Sequence, residues 1–221
     1  MDNILDMTGT TVTIGPHRLQ GILTIPDHPI GLVIFAHGSG SGRLSPRNNY
    51  VAKGLQDAGL ATLLLDLLTP SEELNRANVF DIPLLAGRLV EATDWAESES
   101  RLAALPVGYF GASTGAGAAL LAAAEADGRI GAVVSRGGRP DLAGMALARI
   151  HAPVLLIVGS LDVPVIALNR EAHQLIPAEK EIAIVPGAGH LFEEPGTLDE
   201  VIHHAARWFG EHLAQGLRRE T

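Results

Sequence analysis

An α/β sandwich with a mostly parallel sheet is the fold class the sequence predicts. Three observations carry it. Apolar runs such as Ile30-Gly31-Leu32-Val33-Ile34-Phe35-Ala36 and Leu155-Leu156-Ile157-Val158 are continuous instead of alternating, as strands covered on both faces require. Amphipathic or small-residue stretches of helical length separate these runs, so strand and helix alternate and the crossovers should be right-handed. The 221 residues include 47% hydrophobic side chains, enough to fill one core in a single domain over residues 1–221.

Residues 10–14 and 19–25 read as two antiparallel strands around a Gly15-Pro16 turn. Buried strands are predicted over 30–36, 60–65, 107–110, 130–134, 154–158 and 181–185. A helix over 48–58 meets Gly59, a natural C-terminal stop. A long helix over 83–101 sets Leu84, Leu85, Leu89, Ala92 and Trp95 along one side. Further helices are predicted over 116–126, 164–175 and 198–213, with Trp95, Trp208 and Phe209 read as core packing. Residues 69–81 are the least regular; they follow a strand end and should border any site at the C-terminal edge of the sheet. They are too few for a large lid domain.

The formal net charge of −9 should repel nucleic acid and anionic membranes. The chain has no cysteine, which excludes disulfides, thiolate nucleophiles and cysteine metal sites. The acidic start, Met1-Asp2-Asn3-Ile4-Leu5-Asp6, lacks the basic and apolar regions of a signal peptide, and no apolar run approaches 18 residues. A cytoplasmic protein is expected, monomeric or homodimeric. No metal cluster or nucleotide fingerprint is read, and no cofactor is expected; the adjacent His203-His204 would point about 100° apart on a helix.

Gly111-Ala112-Ser113-Thr114-Gly115 lies between a predicted buried strand and a predicted helix. A serine on such a strand-to-helix turn is exposed for attack on a carbonyl. Its base and the orienter of that base are expected on later loops at C-terminal strand ends. Asp162 follows the strand over 154–158, and His190 follows the strand over 181–185 within Pro186-Gly187-Ala188-Gly189-His190. The structural alternatives are a helix-capping or turn aspartate and a turn histidine bound to backbone. Ser39 N–H, after His37-Gly38, and Thr114 N–H are the expected donors to an oxyanion, with Gly40 as a neighbouring option. His37 is read as shaping its loop.

With the order Ser113, Asp162, His190, the chain resembles the α/β-hydrolase superfamily over nearly its whole length, most of all the small lidless dienelactone-hydrolase-like branch. The resemblance rests on His37-Gly38-Ser39-Gly40, Gly111-Ala112-Ser113-Thr114-Gly115, Gly159-Ser160-Leu161-Asp162 and Gly189-His190. It implies an eight-stranded, mostly parallel sheet with helices on both faces, acylation of Ser113, and hydrolysis of the acyl-enzyme by water. The chain departs from true dienelactone hydrolases at the nucleophile, which is cysteine there and Ser113 here. Related chains include domains fused to phosphoribosyltransferases, for which 221 residues leave no room.

The expected substrate is a small soluble carboxylic ester. Thioesterase, lactonase, amidase and acyltransferase activities use the same triad, and a non-catalytic binding protein retaining the fold is the alternative of a different class. Gly40, Arg43, Leu67, Arg136, Arg139, Leu161 and Leu191 are candidate substrate contacts, with Leu68, Phe80, Val163 and Phe192 as further apolar lining. Arg136 or Arg139 would hold a substrate carboxylate. The alternative for the arginines is a salt bridge or loop clamp to Asp66, Glu72 or Asp141.

Overall fold

Strands Thr10–Ile14 (β1), Leu19–Thr24 (β2), Leu32–Ala36 (β3), Ala61–Leu65 (β4), Val107–Ala112 (β5), Ile130–Arg136 (β6), Val154–Gly159 (β7) and Lys180–Val185 (β8) form one sheet in the order β1-β2-β4-β3-β5-β6-β7-β8. The computed structural model describes residues 9–126 and 128–219; the N-terminal signal-peptide reading lies outside them. β1 pairs antiparallel with β2, and β2 antiparallel with β4. Every pairing from β4 through β3, β5, β6 and β7 to β8 is parallel. The parallel strands therefore end on one edge, where the loops that follow them gather.

The helices are Pro46–Asp57 (α1), Pro70–Glu73 (α2), Ile82–Ser98 (α3), Thr114–Glu125 (α4), Val163–Leu175 (α5) and Thr197–Arg219 (α6). Side chains alternate across each strand. Val33, Phe35, Phe110, Val134, Leu155 and Ile157 face α1 and α6, in one buried cluster with Leu55, Trp208 and Phe209. Leu32, Ile34, Tyr109, Val133 and Leu156 face the other way, in a second cluster with residues of α3, α4 and α5. Two covered faces account for the continuous apolar runs.

Local chemistry sets the helix starts. Ser45 caps α1, its side chain accepting from Asn48 N, and Pro46 follows it. Asp81 caps α3, accepting from Leu84 N–H at 3.0 Å. α3 stops at Ser98, short of the predicted residue 101, and the chain turns so that Leu102 is buried. The 3-10 segment Pro140–Arg149 was not predicted: Gly144, at φ 53°, splits it into two short turns, neither long enough to show a helical period.

The irregular stretch 69–81 holds α2 and a 3-10 turn, Asn78–Phe80. α2 opens with a capping box between Thr69 and Glu72. Glu72 then reaches Arg88 of α3 at 2.6 Å, and Arg88 also contacts Glu91 at 3.2 Å. Glu91 in turn accepts from the His17 backbone amide at 3.1 Å. The buried Arg88 thus ties α2, α3 and the β1–β2 turn together. Arg88→Met leaves two carboxylates without their cation and is expected to lower stability by about 2–4 kcal/mol, read from the urea midpoint.

Candidate active site

Ser113 sits on the turn from β5 to α4 with φ 51° and ψ −121°, a conformation rare outside glycine and asparagine. The elbow holds because its flanks have no side chain. A Cβ on Gly115 would collide with the carbonyl oxygens of Ala36 and His37, and one on Gly111 would lie 2.8 Å from Ala116 N. Ser113 N–H donates to Arg136 O at 3.2 Å, and Arg139 N–H donates to Ser113 O at 3.1 Å. The elbow is thereby fixed to the end of β6.

Asp162 and His190 come to the same edge from β7 and β8. Their loops are bonded to each other through Ser160 N–H to Val185 O at 2.9 Å and Leu161 N–H to Ala188 O at 3.0 Å. Asp162 stands at the N-cap position of α5, yet its side chain makes no cap bond. Its Oδ2 lies 2.6 Å from His190 Nδ1, and His190 Nε2 lies 3.4 Å from Ser113 Oγ. With the carboxylate as acceptor, Nδ1 carries the proton and Nε2 is left to face the serine. The Asp162 side chain is 13% exposed and that of His190 39%, so the pair is shielded at one end and open to a ligand at the other. Behind His190, Gly189 N–H donates to Glu194 Oε2 at 3.1 Å. That bond, first among others from backbone amides, holds the Glu194 carboxyl below its usual range.

The loop after β3 closes the site. The buried His37 donates from Nδ1 to Gly38 O at 3.0 Å and accepts at Nε2 from Leu67 N–H at 3.1 Å. Burial pushes its imidazole below the ordinary value, against the Gly38 carbonyl and the Asp66 and Glu73 carboxylates. Ser39 N–H donates to Thr114 Oγ1 at 3.0 Å. Thr114 N–H is in the first turn of α4, where amides have no intrahelical acceptor.

A cavity of about 320 Å³ opens beside this loop, lined by His37 to Ser41, Leu68, Glu73, Val79 and Leu85. It adjoins Ser113 through Gly38, where a Cβ would lie 3.1 Å from Ser113 Cβ. Of the candidate contacts, Gly40 lines it. Leu67 is wholly buried in the core, and Leu161 and Leu191 are exposed. Of the further apolar candidates, Leu68 lines the cavity. Sequence reasoning missed Glu73, Val79 and Leu85; the capping pattern Thr69-Pro70-Ser71-Glu72 is the signal that would have set α2 over the cavity.

Arg43 is paired with Asp66 through its guanidinium and its backbone amide. Arg139 makes two bonds to Asp141, at 2.8 and 2.7 Å. Glu72, the third carboxylate considered, takes Arg88 instead. Arg136 is buried, with one long bond to Asn48 Oδ1 at 3.4 Å and no partner for Nη1 among the described residues. Burial first, then Arg47, pulls its guanidinium down to about 10.

A 55% identical chain, dienelactone hydrolase from Anabaena variabilis, superposes with a TM-score of 0.88 over 92% of this chain and 96% of its own. This chain belongs to the dienelactone-hydrolase-like branch of the α/β-hydrolase superfamily. The fold is that of a hydrolase. Two Mycobacterium tuberculosis proteins, of strains CDC 1551 and H37Rv, are 59% identical over 202 residues and carry the provisional name phosphoribosyl transferase. The match takes in 91% of this chain and 46% of each of them, so the chain spans about half their length. Est1E from Butyrivibrio proteoclasticus has the same fold at 16% identity, with a TM-score of 0.77 over 93% of this chain and 99% of its own. No protein-family model matches the chain. Among the described residues, no helix is long and apolar enough to cross a membrane, and no group of three or more His, Cys, Asp or Glu is placed to hold a metal ion.

Two stability measurements probe the buried groups. Arg136→Met removes a desolvated cation that lacks a carboxylate partner, and is expected to raise stability at pH 7 by about 1–3 kcal/mol. For His37 the folded value lies below the unfolded 6.5, so the unfolded chain binds the proton first as pH falls. Its contribution is present above pH 6.5 and declines below it, by at most about 1.4 kcal/mol per pH unit. His37→Gln should flatten that part of the urea-midpoint profile.

Proposed function

We propose that this chain is a serine hydrolase that cleaves small carboxylic esters through an acyl-Ser113 intermediate. The observation that carries the reading is His190 bridging Asp162 at 2.6 Å and Ser113 Oγ at 3.4 Å on one sheet edge. His190 Nε2 takes the Ser113 proton as Oγ bonds to the ester carbonyl carbon. The carbonyl π pair moves to oxygen, and the oxyanion is met by the Thr114 and Ser39 amides. Collapse expels the alkoxide, which leaves as alcohol with the proton from His190. Water, deprotonated by His190, then attacks the acyl carbon. The acid is released, and Ser113 Oγ recovers its proton. Asp162 holds the tautomer and stabilises the imidazolium throughout.

A lactone is a second candidate substrate, favoured by the name of the 55% identical relative. Its ring opening follows the same steps, with the alcohol kept on the product. Phosphoribosyl transfer is not assigned to this chain, which accounts for 46% of the relatives that carry that name.

Matched ester, thioester, lactone and amide substrates, with fluorophosphonate labelling, test the reading. Ser113→Ala is expected to abolish labelling and to lower kcat by about 10⁴–10⁶-fold, and Asp162→Asn by about 10⁴-fold. Folded wild-type protein that neither labels nor turns over any acyl substrate would favour a binding role.

A further inference from the structure

The cavity beside Ser113 has an apolar wall and one formally charged side chain. Leu68, Val79 and Leu85 form the wall, and Glu73 supplies the charge. The Glu73 carboxylate has no hydrogen-bond or ion-pair partner among the described residues. Its place is set by its neighbour: Glu72 completes the capping box of α2 and is held by the buried Arg88. The backbone of Glu73 is thereby held at the cavity, and its side chain is exposed.

Among the described residues no cationic side chain pairs with this charge, Arg76 on the same segment included. Both ring nitrogens of His37 are engaged, one donating and one accepting. Arg43 is taken by Asp66, Arg139 by Asp141 and Arg47 by Glu193. Arg136 is buried beside Asn48 and does not line the cavity. A carboxylate-bearing substrate group would meet an uncompensated carboxylate there. An alkylammonium would lay its methylenes on the leucine and valine wall and bring its charge to Glu73.

We propose that this cavity selects esters carrying a positively charged, alkylammonium-type group and discriminates against those carrying a carboxylate. For turnover this rests on the serine-hydrolase reading above; for binding it does not. Because Glu73 is exposed, water screens it, and the selection is of moderate size.

The p-nitrophenyl esters of 4-(trimethylammonio)butanoate, its neutral isostere 5,5-dimethylhexanoate, and glutarate as the monoester supply the three charges. In wild type, kcat/KM for the ammonium ester should exceed that for the glutarate ester by about tenfold at low salt, and the ratio should shrink as salt rises. Glu73→Gln should bring the ratio to about two or below, and Glu73→Lys should reverse it. A preference for the glutarate ester, or an unchanged ratio in Glu73→Gln, overturns the proposal. A binding arm needs no chemistry. Ser113→Ala protein is titrated calorimetrically with butyltrimethylammonium and with hexanoate, with and without Glu73→Gln. Ammonium binding that weakens several-fold on loss of Glu73 supports the proposal; equal or tighter hexanoate binding, or no ammonium binding, overturns it. Charge-selective binding without turnover of any ester leaves the cavity's preference standing and removes the serine-hydrolase reading.

Discussion

The close approach of the start of α4 to the end of β3 is the constraint on which the site depends. Only a residue without a side chain fits at Gly115, against the carbonyls of Ala36 and His37. That contact holds Ser113 at φ 51° and points its hydroxyl out of the sheet edge. It also sets the His37–Gly38 loop beside the serine. Ser113 and the amides around it are thus placed by one packing contact between the start of α4 and the end of β3. The strained backbone is over-determined by the bonds from the elbow to Arg136 and Arg139.

Around that elbow, the arginine charges are kept out of the site by pairing or burial. Arg43 and Arg139 are bound to carboxylates, and Arg88 is enclosed between Glu72 and Glu91. His37 is buried and bonded at both nitrogens, so it fixes the loop. Among the polar groups left open are Ser113, His190 and, at the cavity, the carboxylate of Glu73.

Most of the architecture was legible in the sequence, because strands buried on two faces leave unbroken apolar runs and helix caps leave short polar signatures. The order of Ser113, Asp162 and His190 was legible for a related reason: each follows an apolar strand on a glycine-bearing loop. The cavity beside the elbow was not. Its wall comes from Leu68, from Val79 on a single 3-10 turn, and from Leu85 on the inner side of α3. Their meeting depends on how α2 is docked by Glu72 and Arg88, a contact 16 residues apart that no periodicity announces. The arginines illustrate the same gap. Arg43 and Arg139 lie on loops after strands as expected, whereas Arg136, read as a loop residue, is the last residue of β6; which carboxylate lay within reach of each was a matter of three-dimensional distance.

The bond from Ser39 N–H to Thr114 Oγ1 has a consequence for the resting protein. The Thr114 hydroxyl accepts from this loop amide within the same elbow that carries Ser113. In the proposed reaction, rotation about one side-chain torsion of Thr114 releases the amide, and the backbone need not move. In that proposed reaction the Thr114 hydroxyl is a stand-in for the ligand's oxygen, and an alanine there would deprive the loop amide of this acceptor.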